Sequence, residues 1–126
     1  MNHVLIVAAG GAVGAALRHL TGLAAMRLLG AGFPWGTLSV NIVGSFLMGV
    51  FIELLALKIQ GGTELRLFIA TGLLGGFTTF SAFSLDVAVL WERGAPAAAA
   101  AYVIVSVAAS VGALFAGLAA VRSALA

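Results

Sequence analysis

Thr37, Asn41 and Ser45 follow one another at four-residue intervals, and Tyr102, Ser106 and Ser110 repeat that spacing near the other end of the chain. In a helix this period sets each trio along one side, aligning an amide and several hydroxyls as hydrogen-bond donors. Between the trios runs a segment from Thr71 to Ser84 in which Gly75-Gly76 is followed by Phe77, Thr78, Thr79, Phe80, Ser81, Ala82 and Phe83. Paired glycines and β-branched threonines make poor helix. A break there frees backbone carbonyls for a cation and N–H groups for an anion. Phe77, Phe80 and Phe83 recur every third residue, and their ring edges carry partial positive charge. Ion binding is the chemistry these residues can do, although the hydroxyls would equally bond carbonyls of their own helix and the rings would equally serve as core.

Bond-making chemistry has no comparable support. The sequence holds no Gly-Lys-Ser/Thr phosphate loop, no HExxH and no carboxylate pair at catalytic spacing. Glu53 and Asp86 are single acids near span ends, suited to an interfacial or paired role rather than to carrying protons. His19 has only the distant His3 for company as a metal ligand, and without cysteine there is no thiol chemistry. The chain is not read as an enzyme.

The elements that position these groups must be apolar. Of 126 residues, 63% are hydrophobic and 8% charged, and the mean hydropathy is +1.21. Four acids and six bases cannot cover a soluble globule, whose charged fraction is normally about 25%. Disorder needs the opposite composition. The isoelectric point near 10.0 reflects scattered bases rather than a basic patch, so no nucleic-acid partner is expected. The chain reads as one all-α transmembrane domain over 1–126, with spans at about 4–29, 35–57, 65–91 and 96–121, each of the length a bilayer requires. The third should be broken near residues 75–79. Pro34 and Pro96 open the second and fourth helices, where a missing N–H costs little. Only Met1, Asn2 and His3 precede the first apolar run, which argues against a cleaved signal.

Orientation is normally set by Lys and Arg on the cytoplasmic side. Lys58, Arg66 and Arg122 fall on one side; Arg27 and Arg93 fall on the other, with Arg18 leaning toward them from within the first span. So even a count leaves two readings open: one base decides, or the chain inserts both ways and pairs antiparallel. Size favours the pair, since four helices leave little room for a hydrophilic path. Small residues four apart permit close helix contact: Gly10/Gly14, Gly11/Ala15, Ser45/Gly49, Gly72/Gly76 and Gly112/Ala116. Arg18 either snorkels to the interface or lines an aqueous vestibule.

Three segments together resemble the Fluc/CrcB family of fluoride channels: Gly10-Gly11-Ala12-Val13-Gly14-Ala15-Ala16-Leu17-Arg18, Trp35-Gly36-Thr37-Leu38-Ser39-Val40-Asn41-Ile42-Val43-Gly44-Ser45-Phe46, and Gly72 through Phe83. The resemblance covers all four spans in order. It implies a multi-pass protein of the bacterial inner membrane, assembled as a dual-topology antiparallel homodimer with two pores. It also implies a structural, untransported Na⁺ at the dimer centre, held by backbone carbonyls of Gly75 and Thr78. On the same ground Asn41, Phe80, Phe83, Thr79, Ser81, Tyr102, Ser106, Ser110 and Arg18 would line the fluoride path. Two positions depart from the family pattern: Ala82, usually Thr, and His19, usually a large aromatic. Passive fluoride exit needs no coupling acid. The alternatives are a proton-coupled small multidrug transporter, which needs a glutamate absent from the first span, and a non-conducting accessory subunit.

Overall fold

A computed structural model describes residues 2–57 and 62–125, and every regular element among them is helical. Helix α1 spans His3–Leu29; the Asn2 side chain caps it by accepting from the Val4 N–H at 2.9 Å, and Gly30 ends it with φ of 81°, a left-handed value suited to glycine. Helix α2 spans Trp35–Leu57. The third span, Thr63–Glu92, is composite. It comprises α3 (Thr63–Arg66), a π-helical stretch (Leu67–Leu74), the short turn α4 (Gly75–Phe77) and α5 (Ser81–Glu92). Helix α6 spans Pro96–Leu125. Four of these rods are long and apolar enough to cross a membrane, matching the expected spans within a few residues at their ends.

The break is present, at the C-terminal end of the expected 75–79 stretch. Gly75 and Gly76 remain helical, and the backbone opens at Thr78, with φ −87° and ψ 160°. Packing explains why the glycine pair itself stays helical. A Cβ on Gly76 would stand 2.7 Å from the Gly11 carbonyl oxygen, and one on Gly72 would stand 3.0 Å from the Gly10 Cα. The glycines therefore serve close approach of α1, and the rupture falls on the β-branched threonines that follow. The π-helical stretch has no counterpart in the sequence reading; Gly75 N–H reaches back to the Ala70 carbonyl across its wide turn.

A second seam joins α2 to α6. A side chain on Gly49 would meet the Leu114 carbonyl, and one on Gly117 the Phe46 carbonyl. Gly112, by contrast, faces open space, so the Gly112/Ala116 pair marks no contact among the described residues of this chain. Near the seam's end, buried Glu53 pairs with Arg122, the paired role expected for that acid. Lys58, used in the orientation count, lies outside the described residues. At the other end, Leu38, Phe83, Leu90, Ala99 and Tyr102 form the buried cluster.

These seams predict opposite outcomes on one helix. Gly117→Val should destabilise the protein by roughly 1–3 kcal/mol through overpacking, whereas Gly112→Ala should be neutral or slightly stabilising. Unfolding titrations in mixed micelles would measure both.

Candidate functional site

The break draws its partners from three other places in the fold. Thr78 still donates its N–H to the Leu74 carbonyl at 3.0 Å, and its hydroxyl donates to the same oxygen at 2.9 Å. At Thr79 the helical pattern stops. Its N–H donates to Asn41 Oδ1 at 2.8 Å, while Asn41 Nδ2 donates to the Thr79 carbonyl at 3.0 Å. The Asn41 amide thus pairs with one peptide as a neighbouring strand would. The Thr79 hydroxyl accepts from the Ala82 N–H at 3.1 Å and lies 3.3 Å from Ser81 Oγ, the geometry of an N-cap on α5. Arg18 reaches across from α1, its Nε donating to the Gly76 carbonyl at 3.1 Å. The carbonyls shown bonded at the rupture are those of Leu74, Gly76, Thr79 and Phe80; those of Gly75 and Thr78 accept none of these bonds.

Beside the break lies a groove of about 470 Å³, lined by Asn41, Ser45, Phe80, Phe83, Ser106 and Ser110, with Gly75, Thr78 and Thr79 along its floor. The Ser106 and Ser110 hydroxyl oxygens are buried without a hydrogen-bond partner among the described residues. In an apolar setting such groups cost free energy until a partner satisfies them. Phe83 is buried, whereas Phe80 is 76% exposed on the open flank; their ring centroids are 5.4 Å apart with planes at 48°.

The expected site residues divide between two places. Asn41, Thr79, Phe80, Phe83, Ser106 and Ser110 meet in the groove. Arg18 lines a second cavity of about 330 Å³ on the other side, whose wall also includes Thr37, Thr79, Ala82 and His19. Thr79 borders both spaces. Ser81 sits exposed at the start of α5. Tyr102 leaves its stripe: it is fully buried, its hydroxyl donates to Asp86 Oδ2 at 3.0 Å, and its ring packs 5.1 Å from that of Phe83 with the planes at 46°. Four-residue steps drift by about 40° each around a helix, so Ser110 is turned well away from Tyr102. Sequence reasoning missed the Thr79 backbone as Asn41's partner and the capping use of the Thr79 hydroxyl. The second had a signal, a Thr placed three residues before Ala82 at a helix start.

Among the described residues no group of three or more His, Asp or Glu side chains gathers to hold a metal.

The clamp yields a stability prediction. Asn41→Ala strands the N–H and C=O of Thr79 and should cost roughly 1–3 kcal/mol for each group left unsatisfied. Chemical unfolding in detergent would measure the loss. Unaltered stability would mean the amide does not hold the break.

Comparison with known proteins agrees with this architecture. The profile described as "CrcB-like protein, Camphor Resistance (CrcB)" matches residues 5–118. A protein of Chelativorans sp. (strain BNC1) named "Fluoride-specific ion channel FluC" is 62% identical over 125 residues, covering 99% of this chain and 100% of its own. Proteins of the same name from Mesorhizobium japonicum and Rhodospirillum centenum are 56% and 57% identical, over 98% and 100% of both chains respectively. With four membrane-crossing helices and relatives matched end to end, this is a multi-pass membrane protein, and it belongs to the CrcB-like family.

Proposed function

We propose that two copies of this chain form an antiparallel homodimer that conducts fluoride passively out of the bacterial cell across the inner membrane. The observation that carries the reading is the pair of buried, partnerless hydroxyls at Ser106 and Ser110 in a groove shared with Asn41, Phe80 and Phe83. Fluoride is small and strongly hydrated, so its passage requires donors that replace its water. Hydroxyl, amide and positive ring edges are such donors, and no base or acid crowds the groove. Relatives named as fluoride-specific channels select this anion over others.

The residues then take distinct parts. Asn41 spends one N–H on Thr79 and keeps a second for the anion. Ser106 and Ser110 continue the donor track. Thr79 and Ser81 add hydroxyls at the break, Tyr102 supports the Phe83 ring, and Arg18 raises the local concentration of anions. The open flank and the exposed Phe80 favour a second copy as the missing wall, because an amide and hydroxyls opening toward lipid are costly. An even distribution of basic residues permits both orientations. The carbonyls of Gly75 and Thr78, free of the hydrogen bonds that occupy their neighbours, fit a hard cation such as Na⁺. Bound there, such an ion would supply a fixed positive charge beside the break. Proton coupling is disfavoured: Glu53 is paired with Arg122 and Asp86 with Tyr102, and the first span has no acid.

Liposomes loaded with fluoride or chloride should release fluoride alone, as read by ion-selective electrodes. The Ser106→Ala/Ser110→Ala double variant should slow release by about tenfold or more if each lost hydroxyl removes a net ~1 kcal/mol. Equal chloride release would overturn the reading. Two lysines added to the second loop should bias insertion one way and lower flux; full flux from a population labelled as wholly one-way would refute the antiparallel pair. Replacing Na⁺ by a large organic cation should slow or stop flux, and indifference to thorough Na⁺ removal would remove the ion from the scheme.

A further inference from the structure

We propose that Phe33, on the connection between α1 and α2, is a positioning residue for the anion path: it sets the plane of the Tyr102 ring and, through it, that of Phe83. The inference rests on the fluoride-channel reading and extends it to a residue outside the groove. Rings make a continuous series of contacts from this connection to the groove. Trp35 lies 4.8 Å from Phe33, Phe33 meets Tyr102 edge-on at 5.4 Å with the planes at 85°, and Tyr102 lies 5.1 Å from Phe83 at 46°. Phe83 in turn borders the groove beside Phe80.

Tyr102 is fully buried, and its hydroxyl donates to Asp86 Oδ2 at 3.0 Å. That bond sits at the end of the ring's long axis. It fixes where the ring points and leaves rotation about the axis open, a torsion that is intrinsically broad. A second ring standing edge-on removes that freedom, because aromatic pairs prefer perpendicular or offset planes. Phe33 is itself held for this task. Its backbone is restricted by Pro34, which follows it, and its carbonyl accepts from the Trp35 N–H at 2.8 Å. The neighbouring Gly32 carbonyl accepts from Arg93 at 3.4 Å. Tyr102 and Phe83 belong to one buried cluster against which Phe33 packs, and in a close-packed interior a turn of one ring displaces the next. The plane matters to an anion because an aromatic edge is positive and its face negative, so the orientation of Phe83 decides whether the groove gains or loses attraction there. An aliphatic side chain in place of Phe33 would fill the space without imposing a plane.

Fluoride release from liposomes containing the full-length protein tests this, together with a label on the intermediate ring. Tyr102 is the only tyrosine in the chain, so biosynthetic incorporation of fluorotyrosine reports on that ring alone by fluorine NMR. Phe33→Leu should slow release roughly two- to tenfold, the factor that corresponds to losing one oriented aromatic contact, and should shift or broaden the fluorine resonance. Phe33→Met, which also fills the space without a ring, should do the same. Phe33→Tyr keeps the ring and should release fluoride at the native rate. Native rates in both ringless variants, or slowed release with the resonance unmoved, overturn the inference while leaving the channel intact. So does a Phe33→Tyr variant as slow as Phe33→Leu. A native protein that releases no fluoride overturns the channel reading and this inference with it.

Discussion

The exchange of two hydrogen bonds between the Asn41 side chain and the Thr79 peptide is the constraint on which the rest depends. Within a bilayer, each unpaired backbone group costs several kcal/mol, so a helix cannot simply stop at mid-depth. One side-chain amide offers both a donor and an acceptor at the spacing of a peptide, and so satisfies both groups of Thr79. Without it the third span would have reason to close into a continuous helix, and the groove would lose its floor.

The rupture is held from the other side as well. The Arg18 guanidinium satisfies the Gly76 carbonyl, and the Thr79 hydroxyl caps α5 through the Ala82 N–H. These bonds require α1 to lie close against the third span, which the glycines at positions 10, 14, 72 and 76 permit. Small residues and polar residues are therefore parts of one device. The first bring backbones near, and the second use that proximity to replace the broken ladder.

Polar groups in this protein fall into those already engaged and those left over. Glu53, Asp86 and Tyr102 have partners, so they fasten helices and hold the aromatic cluster. Ser106 and Ser110 are buried without one, in the groove that Phe80 flanks. The proposed ion path rests on that remainder, the groups the fold does not itself satisfy.

Composition and local period were enough to read the class and the four spans, because hydrophobic length acts within a single helix. The motifs likewise pointed to Asn41, Thr79, Phe80 and Phe83 before any contact was known. Where the third span opens was decided by tertiary packing: Gly75 and Gly76 stay helical because Gly76 meets the Gly11 backbone, and a glycine pair alone does not say whether it bends a chain or admits a neighbour. Tyr102 left its stripe for Asp86 because the angular drift between successive helical turns gains meaning only once adjoining helices fix which side faces what. The use of Asn41 as a backbone partner was illegible for the same reason. Its partner is 38 residues away, and only the packing of α2 against the broken span brings that peptide within reach.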